Sequence, residues 1–340
     1  MRAANKRESQ AQIDERGRRA NAAKRARRLA EMQADAMPVV EAGGGPRMVR
    51  EVNAELVPPS PKGGIVEVLR ERYLLRLIVG RELASMYAAS LLGLAWSYVQ
   101  PAMRFAIYYL VMGFILKLHD GFPYFALHLF TGIVFVHYFS ETWSGGTRSI
   151  WQNRALVKKM RMPREIFPVA SMVVAGYHTL PQILVLVVCC LFAGWHLTWT
   201  AVGAGVLGLL ILVTFSAALA LFFAALNVFY KDFQNIVQTI MQFVHFMVPM
   251  MYPFSLVYKA HATNPVLYQI YMANPIAQAV ILMQRLFWYP LIEDPSELKG
   301  VEFPPDMYVR GVITLAICVV LLHYAQKFFA ACEGKFPERL

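Results

Sequence analysis

From Ile65 onward the chain alternates short charged stretches with long apolar ones. Ile65, Val66, Leu69, Tyr73, Leu77 and Ile78 fall on one side of a 3.6-residue helix, and Glu67, Arg70, Glu71, Arg72, Arg76 and Arg81 fill the rest. A helix over 65–93 with this pattern is too charged to cross a membrane and too apolar on one face to stand free in water. It is expected to lie in the membrane interface with its arginines toward the cytoplasm. Beyond it, six stretches approach the ~20 apolar residues that a crossing helix needs: 98–118, 124–143, 166–193, 199–226, 236–256 and 308–330. Pro181 predicts a kink or tilt in the third. Pro249 and Pro253 predict that the fifth breaks before it exits.

The loops between these stretches set the orientation through their Lys and Arg. The 144–165 loop carries six: Arg148, Arg154, Lys158, Lys159, Arg161 and Arg164. The 119–123 and 194–198 loops carry none, and 17 precede Leu94. Both termini, the 144–165 loop and the short 227–235 loop are therefore expected on the cytoplasmic side. The 257–307 loop falls outside. Its apolar and aromatic content predicts short helices that dip back into the membrane. The expected fold is an all-α membrane protein: six transmembrane helices, an N-terminal amphipathic interface helix and re-entrant external helices. The expected division is a basic cytoplasmic extension and linker over 1–64, the interface helix over 65–93, a six-helix membrane domain over 94–332 and a cytoplasmic tail over 333–340.

Composition removes the soluble alternatives. Of 340 residues, 57% are hydrophobic and 16% charged, against roughly a quarter charged in a soluble domain. Residues 166–194 and 198–228 contain no Asp, Glu, Lys or Arg. The net charge of +11 is better explained by the positive-inside bias and attraction to anionic headgroups than by nucleic acid, and no nucleic-acid partner is expected. The first 35 residues lack the apolar core of a signal peptide. The Gly- and Pro-rich segment 36–64 reads as a linker. Cys189, Cys190, Cys318 and Cys332 read as small apolar side chains.

No catalytic constellation stands out. There is no phosphate-binding G-x-x-x-x-G-K-[ST], so the chain is not expected to hydrolyse ATP itself, and no metal-ligand spacing occurs. His137 and Glu141, four apart on one helix face, suggest either a hydrogen-bonded pair or a proton relay. Gln234, Gln238, Gln242 and His245 recur at spacings of four, four and three, a polar stripe on an apolar helix. Such a stripe avoids lipid; hydrogen-bond glue between helices and a hydrated pore lining both account for it. In the first span Tyr98, Phe105 and Tyr109 form an aromatic stripe, with Arg104 and Tyr108 on the neighbouring face. Rings of this kind stack on sugars, and they also serve as packing or as an interface belt. Arg104 lies only a turn inside the expected cytoplasmic end of the first span, where an arginine snorkels to the interface.

Arg81-Glu82-Leu83, Tyr87, Ser90-Leu91-Leu92-Gly93-Leu94-Ala95-Trp96 and Gln100-Pro101 resemble the opening signature of polysaccharide-export permeases of the ABC transporter superfamily, the Wzm, capsule and teichoic-acid exporter subunits. The likeness continues through Thr131-Gly132, Met162-Pro163-Arg164, Tyr230-Lys231-Asp232-Phe233, Pro249-Met250-Met251-Tyr252 and Asn274-Pro275, over about 66–331. The long N-terminal extension looks most like actinobacterial versions, similar to exporters of lipid-linked galactan. The resemblance implies a homodimeric permease in a bacterial plasma membrane, working with two separate Wzt-like ATPase subunits that hold ATP and Mg. It implies no cofactor in this chain. It implies export of a polyprenyl-diphosphate-linked polysaccharide. The interface helix would act as a gate. Asn153, Arg154, Lys158, Lys159 and Arg161 would belong to one ATPase-coupling segment, and Tyr230, Lys231 and Asp232 to a shorter one. Tyr98, Phe105, Tyr108, Tyr109, Gln234, Gln238, Gln242 and His245 lie on spans that the family places at the channel. Arg81 and Arg104, near its cytoplasmic mouth, would then hold the lipid diphosphate headgroup, the competing account being that both anchor at the interface. Three other classes remain: a membrane-embedded glycosyltransferase or polymerase using external acids such as Asp120, Glu293 or Asp306, a permease for drugs or small lipids, and a structural scaffold.

Overall fold

The computed structural model describes residues 64–88, 93–119, 122–160, 162–292 and 303–340. Among them every regular element is helical. In chain order these are α1 (Gly64–Arg70), α2 (Arg72–Tyr87), α3 (Trp96–Tyr108), α4 (Phe125–Gln152), α5 (Arg154–Lys159), α6 (Ile166–Phe192) and α7 (Trp199–Phe229). They continue as α8 (Asp232–Val244), α9 (Phe254–Thr263), α10 (Pro265–Met272), α11 (Pro275–Phe287), α12 (Met307–Glu333) and α13 (Phe336–Arg339). A π-helical segment, Tyr109–Ile115, extends α3.

Three helices, α6, α7 and α12, are each long and apolar enough to cross a membrane. A fourth crossing exists if α10 and the stretch Pro275–Leu291, bent by 77° at their junction, count as one broken span. Helix α4 is 28 residues long, but His128, His137, Glu141 and Arg148 lower its hydropathy. The first predicted span divides into an α part and a π part. The expected interface helix is two helices meeting at Glu71, and it ends at Tyr87 rather than running to 93. Of its expected apolar face, Ile78 is buried while Leu69, Tyr73 and Leu77 are exposed, and Val68 and Val79 supply the remaining buried contacts. Helix α6 runs through Pro181 without interruption.

Helix α7 is the spine, packed along its length against α12, α4 and α11. Small side chains make this possible, because two helices in lipid gain little from hiding apolar surface and must approach closely to gain dispersion contacts. A Cβ added at Gly208 would lie 2.9 Å from the Leu282 Cβ and 3.0 Å from the Ala279 carbonyl oxygen of α11. Gly205 meets Leu286 of α11, and Gly146 of α4 meets Ala220. Helix α6 closes with Gly194 at φ +82°. There the Trp195 N–H bonds the Cys190 carbonyl (3.1 Å) and the Gly194 N–H the Leu191 carbonyl (3.2 Å), a left-handed cap that only glycine adopts freely. The Trp195 indole then donates to the Leu286 carbonyl, 2.9 Å.

The expected break in the fifth span arrives early. Helix α8 has only 13 residues, and 245–253 is a run of turns containing both prolines. The carbonyls released there are taken by side chains. Tyr252 Oη donates to Phe246 (2.9 Å), Asn274 Nδ2 to Met247 (3.2 Å) and buried Gln284 Nε2 to Pro249 (2.8 Å). Asn274 also accepts from the Ile276 N–H at 3.1 Å, which caps α11 with Pro275 in its first turn. Asn264-Pro265 starts α10 in the same way.

Two substitutions test this architecture by thermal unfolding in detergent. Gly208→Val overpacks the α7–α11 seam and should cost about 1–3 kcal/mol. Gly203→Val, where an added Cβ meets nothing within 4 Å, should be neutral; equal loss in both would remove the close-packed spine. Gln284→Leu keeps the volume but strips the Pro249 carbonyl of its donor, and should cost about 1–3 kcal/mol. An unchanged midpoint would show that this carbonyl needs no side-chain partner.

Candidate functional site

The two segments expected to form a coupling surface meet in space. Asn153 ends α4 and begins α5; its buried amide donates to the Ser149 carbonyl at 2.9 Å and its Oδ1 accepts from the Arg81 guanidinium of α2. Helix α5 buries Val157 and leaves Arg154, Lys158 and Lys159 exposed. Across from it, Tyr230 and Lys231 join α7 to α8, and Asp232 opens α8, where a negative charge suits the helix N-terminus. Trp151 links the two. The Lys231 ammonium lies 3.7 Å from its ring centroid and the Arg154 guanidinium 5.0 Å. Buried Asn227 steadies the second segment by accepting from the Gln234 N–H, 3.2 Å. Arg161 lies outside the described residues.

Trp151 was missed in the sequence, although a tryptophan among basic loop residues is a recognisable interface signal. Nearby, Arg164 donates to the Glu333 carbonyl at the end of α12 and lies over the Phe336 ring, which fastens the C-terminal segment to this end of the molecule. Burial pushes the Glu165 carboxyl above its usual range, partly offset by its own backbone N–H and by Arg164.

Of the two candidate headgroup residues, Arg81 bonds Asn153 as described, and Arg104 donates to His245 Nε2 at 3.1 Å. His245 Nδ1 sits 2.9 Å from the Met241 carbonyl; with Nδ1–H donating there, Nε2 is left to accept from Arg104. A candidate headgroup residue of the first expected span and the last residue of the polar stripe are thus joined. Gln238 and Gln242 are exposed, Gln234 is half-buried, and α8 turns Val237, Met241 and Val244 inward instead. Tyr98 is exposed, and with Phe105 it lines an apolar cavity of about 350 Å³ shared with Phe130 and Gln182. Phe105 stacks on Tyr109 at 5.6 Å and meets Phe130 edge-on, and Tyr109 also stacks on Phe125 at 6.2 Å. Within the chain these two rings, and half-buried Tyr108, pack against other apolar side chains.

The His137–Glu141 pair is in contact, Nε2 to Oε2 at 3.4 Å, but without a hydrogen bond to that oxygen. It belongs to something larger. Glu141 Oε1 is hydrogen-bonded to His178 Nδ1 of α6, and His178 Nε2 is 2.7 Å from the Tyr87 hydroxyl at the end of α2. Counting only Asp, Glu, Lys and Arg makes 166–194 look chemically empty and hides His178. Among the described residues no group of His, Cys, Asp and Glu is arranged to hold a metal. Of the external acids that a glycosyltransferase would need, Asp120, Glu293, Asp294, Glu297 and Glu302 lie outside the described residues, and Asp306 immediately precedes α12.

Comparison with known proteins bears on the same region. The sequence model of the ABC-2 type transporter family matches residues 73–288. The chain is 29% identical over 282 residues to the O-antigen export system permease protein RfbA of Myxococcus xanthus, covering 81% of this chain and all of that protein. It is 23% identical over 265 residues to a protein of the same name from Klebsiella pneumoniae, covering 76% of this chain and 93% of the other. The family match takes in α2 from Tyr73 onward, both candidate coupling segments and the turns that follow α8, and together with the apolar crossing helices it makes this chain a multi-pass membrane protein that belongs to the ABC-2 type transporter family.

Proposed function

We propose that this chain is the transmembrane subunit of an ABC transporter that exports a polysaccharide linked to a polyprenyl diphosphate, in a bacterial plasma membrane. The observation that carries the reading is the convergence of α5 and the 230–232 segment on Trp151. It forms an exposed cationic ledge at the helix ends, where an ATPase subunit can push on two segments at once. The names of the relatives support a polysaccharide cargo.

In this reading two copies form the permease, and each is served by a separate ATPase that holds ATP and Mg. The six crossings are α3 with its π extension, α4, α6, α7, α8 with the turns that follow it, and α12. Helices α10 and α11 dip in from outside, α1 and α2 lie in the cytoplasmic interface, and both termini are cytoplasmic. The exposed face of Gln238 and Gln242, with Tyr98, lines the path between the two copies. Amides there offer replaceable hydrogen bonds to a passing glycan. Arg104 holds the lipid diphosphate through charge-assisted hydrogen bonds, and Arg81 stands at the same mouth.

Coupling is tested in the assembled complex. Lys158→Glu with Lys159→Glu should insert normally and hydrolyse ATP, yet export at least about tenfold less, within the usual range of coupling energies. Export at the native rate would leave these lysines only a topological role. Arg104→Gln should preserve the dimer and raise the substrate concentration for half-maximal ATPase stimulation about tenfold or more, as for a lost charged hydrogen bond of about 1.5–3 kcal/mol. A dissociated dimer with unchanged substrate response would instead make Arg104 and His245 a packing pair.

A further inference from the structure

The connection between the interface helix and the first crossing helix is held at both ends by one face of α6. At the near end Tyr87, the last residue of α2, places its hydroxyl 2.7 Å from His178 Nε2. At the far end Ser97, in the first turn of α3, has its carbonyl 3.2 Å from Gln182 Nε2. His178 and Gln182 are one turn apart, and Gln182 Nε2 also donates to the His178 carbonyl at 3.0 Å. The two ends touch each other as well, with the Tyr87 hydroxyl 2.8 Å from Ser97 Oγ. Behind them Glu141 of α4 bonds His178 Nδ1.

With Glu141 a carboxylate and His178 a neutral imidazole, the donors and acceptors fit one arrangement. A carboxylate can only accept, so His178 Nδ1 carries the proton given to Glu141. Nε2 then presents its lone pair to the Tyr87 O–H, and the Tyr87 oxygen accepts from Ser97 Oγ–H. Every member is partly or fully buried, so water is a poor substitute for any partner. Buried Ile78 and Val79 pack the middle of α2, and its other polar ties among the described residues are weaker or lie toward that middle. Ser171 Oγ reaches Glu82 Oε1 at 3.4 Å, and Arg81 reaches Asn153.

From this geometry we infer that Tyr87, His178 and Glu141 are positioning residues: a clamp that fixes the interface helix on α4 and α6, and that must open at Tyr87 before the interface helix can move relative to the first crossing helix. The inference rests on the transporter reading for its consequence, not for its geometry. Glu141 sits on the helix that runs directly into Asn153 and α5. A displacement of the coupling segment therefore reaches the clamp along one rigid element. The closed clamp holds substrate-free hydrolysis low, and its release is the step that hydrolysis or substrate drives.

The experiment uses the full complex in lipid nanodiscs, with amide hydrogen exchange over 72–87 and ATP hydrolysis with and without lipid-linked glycan. Tyr87→Phe removes one hydroxyl and no volume. It should speed exchange in α2 alone and raise substrate-independent hydrolysis about fivefold, the lower end of a typical coupling energy. Glu141→Gln, whose amide oxygen still accepts from His178 Nδ1–H, should retain slow exchange and low hydrolysis, while Glu141→Leu should behave as Tyr87→Phe does. Adding His178→Phe to Tyr87→Phe should have no further effect. Unchanged exchange in Tyr87→Phe overturns the clamp, as does faster exchange spread evenly through α7 and α12. If hydrolysis fails to respond to glycan even in the native complex, the transporter reading falls, while the exchange arm still decides the clamp.

Discussion

A helix that breaks where water is absent must find new partners for the carbonyls it releases, and much of this molecule is arranged around that requirement. The run of turns at 245–253 releases the carbonyls of Phe246, Met247 and Pro249. Their donors come from Tyr252, within the turns, and from Asn274 and Gln284 on or beside α11. Helix α11 is therefore more than filler. It is nearly all buried, it seats on the small-residue face of α7, and it carries or adjoins the amides that allow α8 to end early. Asn274 serves both sides at once, capping α11 with its oxygen and closing the break with its nitrogen.

The same economy operates at the other end of the molecule. Asn153 terminates one helix and holds Arg81 of α2, and Trp151 is shared by cations from two segments. Stretches distant in the sequence become one surface because a few polar or aromatic side chains each serve two elements. In an apolar protein such contacts are sparse, so each decides more of the geometry than its counterpart would on a soluble surface.

Apolar runs with their flanking charges made the all-helical membrane character legible, and the prolines at 249 and 253 announced the break. The junction at Glu71 and the early stop at Val244 were not legible. At the first, Val68 is buried against distant parts of the chain; at the second, the released carbonyls are taken by amides on or beside α11. In the candidate site the basic residues of α5 were visible from charge alone, and the meeting of Arg104 with His245 was not, since they are 141 residues apart. His178 escaped because imidazole is neutral in any count of formal charge. The glutamine stripe kept its helical phase, but periodicity does not say whether its outward face meets lipid, water or a second protein.

The π-helical segment at Tyr109–Ile115 has a bearing on sequence drift. A π turn accommodates one residue more than the α geometry on either side of it. Loss of a single residue there would let the segment relax to an α-helix while Tyr98 and Phe105 below it, and the loop above it, kept their angular positions. The same loss in uninterrupted α7 would rotate everything downstream by about 100° and pull the glycines off α11. Loss of one residue is thus tolerable in α3 with its π extension and costly in the spine.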